Sequence, residues 1–235
     1  MSGDSKLPAK STRADVANFL AKVKAMPVPV RAGGQAGRLI FAMDATASRE
    51  PTWDRACKIQ GDMFTATEGL GGLEIQLAFY RGFGEFEASP WLADSKALVK
   101  RMTAVACLAG ETQIASVLRH AAAETRRRKV NAVVFVGDAC EEGIDALAAL
   151  AGQLGLAGVP VFVFHEGGEP GARRVFEEIA RLSHGAYCPF DAGSADMLRD
   201  LLAAVAAFAA GRRPALEDLS RKRGGATLLL TRQMR

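Results

Sequence analysis

Cysteine, histidine and long apolar runs are scarce in this sequence of 235 residues. The four cysteines, at positions 57, 107, 140 and 188, form no CxxC pair, and the three histidines do not cluster with them. This spacing argues against a zinc site built from cysteine and histidine ligands. The apolar run over 201–210 covers ten residues, whereas a bilayer span needs about 20. No transmembrane helix is therefore predicted.

The beginning of the sequence also lacks the features of an export signal. Residues 1–26 carry charges throughout and contain no continuous apolar core of the kind that a secretory signal needs. Without export, the cysteines are expected to stay reduced. We therefore expect a cytoplasmic, bacterial protein. Most of its cysteines are expected to be small side chains in the core.

Positive charge is in excess only at the two ends of the chain. Residues 1–37 carry six basic and two acidic side chains, and residues 211–235 carry seven and two, whereas residues 38–210 carry 17 and 22. The net charge of +4 thus belongs to the ends. A nucleic-acid-binding domain would carry a basic face on its folded body, so no nucleic-acid partner is expected. The basic ends are interpreted as solvated tails.

Short apolar segments alternate with amphipathic ones through the body of the chain. Strands are predicted over the apolar runs at 38–44, 131–138 and 159–165, over the alternating stretch 73–80, and as short strands at 84–88 and 186–190. Helices are predicted between them, at 51–69, 95–107, 113–127, 143–156, 171–182 and 194–210. Apolar strands that are joined by helices are typical of a mostly parallel sheet covered on both faces. The predicted fold class is therefore α/β, with one doubly wound domain over 38–210.

The segments outside this domain are shorter. Within the N-terminal part, 1–37, the stretch 13–26 is predicted to be an amphipathic helix whose apolar face carries Val16, Phe19, Leu20 and Val23. Proline and glycine residues follow and break the helical pattern, so the rest of this part is interpreted as a linker. Residues 211–235 are interpreted as a basic C-terminal tail.

Oxygen-bearing side chains follow two of the predicted strands. Asp44, Thr46 and Ser48 come at the end of the first strand, Asp138 follows a later one, and Thr112 precedes a helix. In open α/β sheets, ligands bind beyond the carboxyl ends of the strands, where the strand order reverses. Two carboxylates and three hydroxyls suit a hard divalent cation such as Mg²⁺ or Mn²⁺. Because the hydroxyls are neutral, the cation would stay electrophilic and accept a further carboxylate.

These residues resemble the metal-ion-dependent adhesion site (MIDAS) of von Willebrand factor type A (VWA) domains. The resemblance covers roughly 38–210, and it rests on the order Asp44-x-Thr46-x-Ser48, then Thr112, then Asp138. The sequence departs from the family pattern at Thr46, where a serine is usual but the hydroxyl is kept. The resemblance implies a doubly wound, Rossmann-like sheet of about six strands, with a short antiparallel edge at 84–88.

The resemblance also implies a function. It implies that Ser48 binds the metal directly, together with Thr46 or Thr112, whereas Asp44 and Asp138 often act through water. One vacant position would accept an Asp or Glu carboxylate from a partner protein, and family members often work with ATPases or in chaperone-like assemblies. The chain is therefore interpreted as a metal-dependent protein-interaction module and not as an enzyme.

Two other functions stay open. Phosphatases of the haloacid-dehalogenase type also combine Mg²⁺ with an aspartate after the first strand, but they need a second aspartate where this chain has Thr46. Alternatively, the metal site is non-functional and the protein is a scaffold that acts through its basic tails.

Residues beside these motifs have competing interpretations. Arg49, directly after the first motif, could steer an acidic partner or close the site. Thr112 could cap the helix over 113–127 in addition to binding metal. Glu141 and Glu142 are interpreted as first-turn acids of the helix that follows them, and His165 is interpreted as a structural residue.

Overall fold

The computed structural model describes residues 12–27, 36–50, 73–190 and 195–211. The predicted helix over 51–69, Cys57, most of the linker and nearly all of the basic tail lie outside these residues. The described helices are α1 (Arg13–Ala25), α2 (Ser95–Thr103), α3 (Ile114–Arg127), α4 (Ile144–Leu156), α5 (Pro170–Leu182) and α6 (Ala195–Ala209). The described strands are β1 (Gly37–Asp44), β2 (Leu73–Arg81), β3 (Glu85–Ala88), β4 (Ala132–Gly137), β5 (Val161–Glu166) and β6 (Ala186–Phe190).

The six strands form one sheet in the order β3-β2-β1-β4-β5-β6. Every neighbouring pair is parallel except β2 and β3, which pair antiparallel at the edge. The chain winds outward from β1 in one direction and from β4 in the other, so the strand order reverses between these two strands. This arrangement confirms the predicted α/β class. It also places the carboxyl ends of β1 and β4 beside the crevice in which doubly wound sheets bind ligands.

Alternate residues of β1 face two separate cores. Leu39, Phe41 and Met43 pack with α1, α2 and α6, whereas Ile40 and Ala42 pack with α3, α4 and α5. All eight residues of this strand are buried. Coverage on both faces explains why β1, β4 and β5 consist of continuous apolar runs instead of alternating patterns.

Helix α1 packs onto the first of these cores. A capping box starts the helix: the amide of Asp15 donates to the Thr12 hydroxyl at 3.2 Å, and the amide of Thr12 donates to the Asp15 carboxylate at 2.8 Å. The Phe19 ring lies 5.9 Å from the Phe162 ring and 5.3 Å from the Phe164 ring, between centroids. The apolar face predicted for this helix is therefore the face that the structure buries.

One predicted helix is too long at its C-terminal end. The helix predicted over 95–107 ends at Thr103, and residues 104–113 form a loop. Within this loop the amide of Leu108 donates to the carbonyl of Ala45 at 3.1 Å. A hydrogen bond to the end of β1 thus replaces a further helical one. The other predicted boundaries within the described residues agree to within two residues.

No helix in the described part of the chain has the length and apolar character needed to cross a membrane. The three described cysteines, Cys107, Cys140 and Cys188, are free thiols. Burial raises the pKa of Cys107 and Cys140 to about 11, and that of Cys188 to about 12. These thiols stay protonated at neutral pH, which makes them poor nucleophiles and poor metal ligands.

Truncating Phe19 to alanine is expected to lower the free energy of unfolding by about 3–5 kcal/mol, because loss of a buried ring leaves a cavity. Phe83→Ala is the matched control, since this ring is 80% exposed, and we expect it to change stability by less than about 0.5 kcal/mol. Urea denaturation followed by circular dichroism measures both. A wild-type midpoint for Phe19→Ala would show that α1 does not stabilise the core.

Candidate functional site

Asp44 ends β1 and is fully buried beside Tyr80, its register partner on β2. One carboxylate oxygen accepts a hydrogen bond from the amide of Thr46 at 2.8 Å, and the other accepts from the Tyr80 hydroxyl at 2.9 Å. Burial raises the pKa of Asp44, and these hydrogen bonds oppose that shift because they stabilise the charged form. Both oxygens therefore already have protein donors, and Asp44 fixes the turn that leads into the hydroxyl motif.

The three predicted hydroxyl residues line one cavity. Thr46, Ser48 and Thr112 share a cavity of about 230 Å³, and Thr46 Oγ1 lies 3.1 Å from Ser48 Oγ. The rest of the lining consists of small residues and one carboxylate, from Ala47, Ala109, Gly110, Ala139 and Glu141. At about 30 Å³ per water, this volume is large enough for a hydrated cation and a carboxylate.

Contacts with the β2–β3 turn position the loop that carries Thr112. A side-chain carbon added at Gly110 would lie 2.0 Å from the carbonyl oxygen of Gly82, so only glycine allows this approach. The side-chain amide of Gln113 donates to the carbonyl of Arg81 at 3.2 Å. The amide of Glu111 also donates to the Gly82 carbonyl, at 3.3 Å. The loop is thus held to the edge of the sheet on both sides of Gly110.

Glu141 is hydrogen-bonded to Thr112 in both directions. The Thr112 amide donates to the Glu141 carboxylate at 3.1 Å, and the Glu141 amide donates to the Thr112 hydroxyl at 3.2 Å. The loop after β4 and the loop before α3 are therefore joined at the cavity wall. The Thr112 hydroxyl keeps a free lone pair on this geometry, because an oxygen of this type accepts two hydrogen bonds.

Glu142 caps α3, and two expectations from the sequence are wrong here. Its carboxylate accepts hydrogen bonds from the amide of Ile114 and, at 3.0 Å, from the amide of Ala115. The expected capping residue Thr112 makes no such bond, and Gln113 occupies the cap position without a side-chain hydrogen bond. Neither acid lies in the first turn of α4: Glu142 serves the N-terminus of α3, where the helix dipole favours negative charge, and Glu141 bonds to Thr112.

Asp138 follows β4 and is incompletely satisfied. Its Oδ1 atom is buried and has no hydrogen-bond partner among the described residues. Asp44 lies close by, because a side-chain carbon added at Gly137 would be 3.7 Å from Asp44 Cβ. The charge of Asp138 accordingly contributes, after burial, to the raised pKa of Asp44. Two carboxylates thus share one end of the sheet.

His165 is buried behind Asp138. Its Nε2 lies 3.2 Å from the backbone carbonyl oxygen of Asp138, and its Nδ1 lies 2.9 Å from the Tyr187 hydroxyl. Burial lowers the pKa of His165, which keeps the imidazole neutral at physiological pH. The residue therefore holds the backbone of this loop and does not line the cavity.

Arg49 is buried at the site, with 1% of its surface exposed. Its guanidinium pairs with the carboxylate of Glu166, the last residue of β5. Burial lowers the pKa of Arg49, and the negative charges of Asp138 and Asp44 oppose that shift. The guanidinium therefore lies within electrostatic range of both aspartates. Because this side chain is buried, it does not reach into solvent to steer a partner.

Three exposed apolar side chains lie on segments next to those that line the cavity, and we call them the apolar rim: Phe83, Leu108 and Ile144. Phe83 lies in the turn that contacts Gly110, Leu108 pairs with Thr46, and Ile144 begins α4. Their exposed fractions are 80%, 41% and 43%. Among the described residues only one other large apolar side chain, Leu156, is as exposed. A concentration of exposed apolar surface at one edge is typical of an interaction site.

The donor set fits a divalent cation that prefers oxygen. Within the described ranges, no three His, Cys, Asp or Glu side chains converge on one point, so a cation here would depend on hydroxyl ligands. The cavity supplies these hydroxyls, and Asp138 offers an oxygen without a donor. The structure thus brings Thr46, Ser48 and Thr112 to one cavity and places Asp44 and Asp138 at the same edge of the sheet but outside the cavity lining. The roles of all five as ligands stay a prediction.

The arrangement of helices and strands is similar to that of solved VWA domains. The SpRpn10 VWA domain matches with a TM-score of 0.58 and 12% identity, over 71% of this chain and 94% of that one. An aerotolerance-related membrane protein from Bacteroides fragilis NCTC 9343 matches with a TM-score of 0.57 and 15% identity, over 71% and 98%.

A third similar structure is proximal thread matrix protein 1 from the mussel byssus, with a zinc-occupied MIDAS motif. Its TM-score is 0.60 at 14% identity, over 73% of this chain and 46% of that one, so this chain spans about half of the mussel protein. No protein-family sequence profile and no curated protein sequence matches this chain. The chain therefore has the VWA fold, at a sequence identity that shows the fold alone.

Replacing Tyr80 by phenylalanine is expected to lower the free energy of unfolding by about 1–3 kcal/mol, because a buried carboxylate oxygen loses its donor. The substitution removes one hydroxyl that donates to Asp44 and leaves the ring in place. Urea denaturation at neutral pH measures the change. Unchanged stability would mean that this hydrogen bond does not hold Asp44 in the folded protein.

Proposed function

We propose, for this chain with a VWA fold, that the cavity at the end of β1 and β4 holds a divalent cation, which in turn binds a carboxylate of a partner protein. The observation that carries the proposal is the buried Oδ1 atom of Asp138, which has no donor among the described residues. Leaving a buried polar atom unsatisfied costs about 1–3 kcal/mol, and more for a charged group. A cation held by the hydroxyls at this edge of the sheet, with water between it and Asp138, would offset that cost.

The residues of this edge divide into ligands and supports. Thr46, Ser48 and Thr112, which line the cavity, would hold the cation through their hydroxyls. Asp138 is not among the lining residues, so it would act on the cation from behind them, through water. Asp44 would act less directly, because both of its oxygens already accept hydrogen bonds. A bound cation supplies an electrophilic centre, and neutral ligands leave most of its charge available to an anion.

The identity of the cation is inferred from the ligand atoms. Oxygen-only ligands favour Mg²⁺ or Mn²⁺. A zinc-occupied MIDAS is named for the mussel protein, and this supports a divalent cation at the same place in the fold. Because Zn²⁺ prefers nitrogen and sulfur ligands, we propose Mg²⁺ or Mn²⁺ for this chain.

The apolar rim indicates what surrounds the partner's carboxylate. Phe83, Leu108 and Ile144 expose apolar surface on segments next to a polar cavity. Binding sites often combine a few polar groups that fix orientation with apolar contacts that add affinity. We therefore propose an Asp or Glu side chain flanked by bulky apolar residues as the partner's binding motif. An ATPase or chaperone-like assembly is the partner class that the family resemblance favours.

We further propose that this site binds and does not catalyse. A phosphatase of the haloacid-dehalogenase type uses an exposed aspartate as its nucleophile. Asp44, the residue in that place, is fully buried and hydrogen-bonded through both oxygens. Thr46 stands where the second aspartate of such an enzyme would be.

Calorimetric titration with Mg²⁺ and Mn²⁺ is expected to show one saturable site. Asp138→Asn and Ser48→Ala should each weaken binding at least about tenfold, which corresponds to about 1.4 kcal/mol. Asp145→Asn is the matched control, because this aspartate lies in the first turn of α4 and is exposed. Saturable binding that is insensitive to both site substitutions would place the cation elsewhere.

Selection from a random peptide library in the presence of Mg²⁺ is expected to enrich peptides with an acidic residue next to a bulky apolar one. Chelation by EDTA should abolish their binding, since the cation contacts the carboxylate. Phe83→Ala should weaken it, because the largest apolar contact of the rim is lost. The chain without residues 212–235 serves as a control. Binding that survives EDTA but not this deletion would favour the scaffold with active tails.

A further inference from the structure

Arg49 places a permanent positive charge next to the proposed cation site. It ends a 3₁₀ turn, Ala47–Arg49, that directly includes Ser48 of the cavity wall. Its backbone amide donates to the Thr46 carbonyl at 3.0 Å, so the turn that presents the hydroxyls also anchors the arginine. A guanidinium keeps its proton under all physiological conditions. A cation bound at the hydroxyls would therefore be repelled by the fixed positive charge of Arg49.

The surroundings of the guanidinium are acidic. Glu166 pairs with it directly, and Asp44 and Asp138 interact with it electrostatically. Arg49 and Glu166 are both buried, with 1% and 8% of their surface exposed. Charges in such a place are weakly screened by water or salt, so each has a larger effect on a neighbouring ion than a surface charge has.

We propose that the Arg49–Glu166 pair sets the cation affinity of this site and couples cation binding to partner binding. The proposal rests on the proposed function. The guanidinium repels the divalent cation and the Glu166 carboxylate attracts it, so the cation affinity of the free protein depends on the balance of these two charges. A partner carboxylate adds the negative charge that the site then lacks, so cation and partner raise each other's affinity by the same factor.

The position of the pair explains why it acts on affinity without being a ligand. The Arg49 side chain is not among the residues that line the cavity, and neither is that of Glu166. Their effect is therefore through charge, which predicts that affinity follows the net charge of the pair. Removing the arginine alone leaves the pair negative, removing the glutamate alone leaves it positive, and removing both restores neutrality.

Titration of the full chain with Mn²⁺, followed by electron paramagnetic resonance of the free ion, tests whether the affinity follows the net charge of the pair. Arg49→Met is expected to bind Mn²⁺ at least about tenfold more tightly than wild type, and Glu166→Gln at least about tenfold more weakly. The double variant Arg49→Met/Glu166→Gln should stay within about threefold of wild type. Arg49→Lys, which keeps the charge, should do the same.

Arg181→Met is the matched control for loss of a positive charge. This side chain is 67% exposed near the end of α5, which runs away from the carboxyl edge of the sheet, and its loss should leave Mn²⁺ affinity unchanged. If Arg49→Met does not fold, Glu166→Gln and the double variant still test whether Mn²⁺ affinity follows the net charge of the pair. Thermal unfolding of each variant without metal identifies those that are folded.

Acetate serves as the probe for the partner's carboxylate. Its addition is expected to raise the Mn²⁺ affinity of wild type by a larger factor than that of Arg49→Met, because the variant already has the extra negative charge. Equal factors in the two proteins would overturn the coupling.

The remaining outcomes separate this proposal from the proposed function. Mn²⁺ binding that is lost in Asp138→Asn but equal in all four charge variants overturns the role of the pair and leaves the metal site standing. Binding by Arg49→Met and not by wild type supports the role of the arginine but contradicts a metal-dependent function of the natural protein. No Mn²⁺ binding by any folded variant overturns both.

Discussion

Asp44 and Asp138 stand at the carboxyl ends of the neighbouring strands β1 and β4, and their negative charges must be balanced. Much of the structure of this edge serves that requirement. The reversal of strand order between β1 and β4 brings Asp44 and Asp138 together. Buried like charges at short distance are unfavourable without compensating donors or cations. Asp44 receives its donors from Thr46 and Tyr80, and Arg49 supplies a positive charge nearby. Within the part of the chain that the structure describes, the Oδ1 atom of Asp138 is buried and has no hydrogen-bond donor.

The loops of this edge are held in place before any ligand binds. Gly110 packs against Gly82, and Glu141 is hydrogen-bonded to Thr112 in both directions. Glu142 fixes the start of α3, the helix that follows Thr112. Such preorganisation lowers the entropy that binding would otherwise cost. The hydroxyls therefore form a rigid surface in a cavity whose neighbouring rim is apolar, an arrangement that suits recognition of a charged group in an apolar setting.

The fold could be predicted from sequence because both faces of the sheet are covered. Continuous apolar runs such as β1, β4 and β5 mark buried parallel strands, and the residues directly after them mark the ligand edge. The positions of Asp44, Thr46, Ser48 and Asp138 were predicted in this way, since they depend on where strands end, whereas Thr112 lies before a helix and was predicted from the resemblance to the VWA pattern. The end of α2 could not be predicted in this way, because the Leu108 amide bonds to Ala45, a residue distant in sequence.

The supporting contacts also required the structure, because each joins segments that are far apart along the chain. The hydrogen bond from Tyr80 to Asp44 depends on the register between β1 and β2. The capping of α3 by Glu142 depends on how two loops meet. Arginine is rarely buried unless it is paired, so the sequence offers no sign that Arg49 lies inside. Its partner Glu166 is 117 positions away.

The central claim is that the carboxyl edge between β1 and β4 binds a divalent cation. The most direct test is X-ray diffraction from crystals grown with Mn²⁺, measured where manganese scatters anomalously. The account predicts one strong anomalous peak among the hydroxyls of Thr46, Ser48 and Thr112, near the free oxygen of Asp138, and its absence from crystals of Asp138→Asn. An anomalous map without a peak at this edge, at Mn²⁺ concentrations that saturate binding in solution, would contradict it.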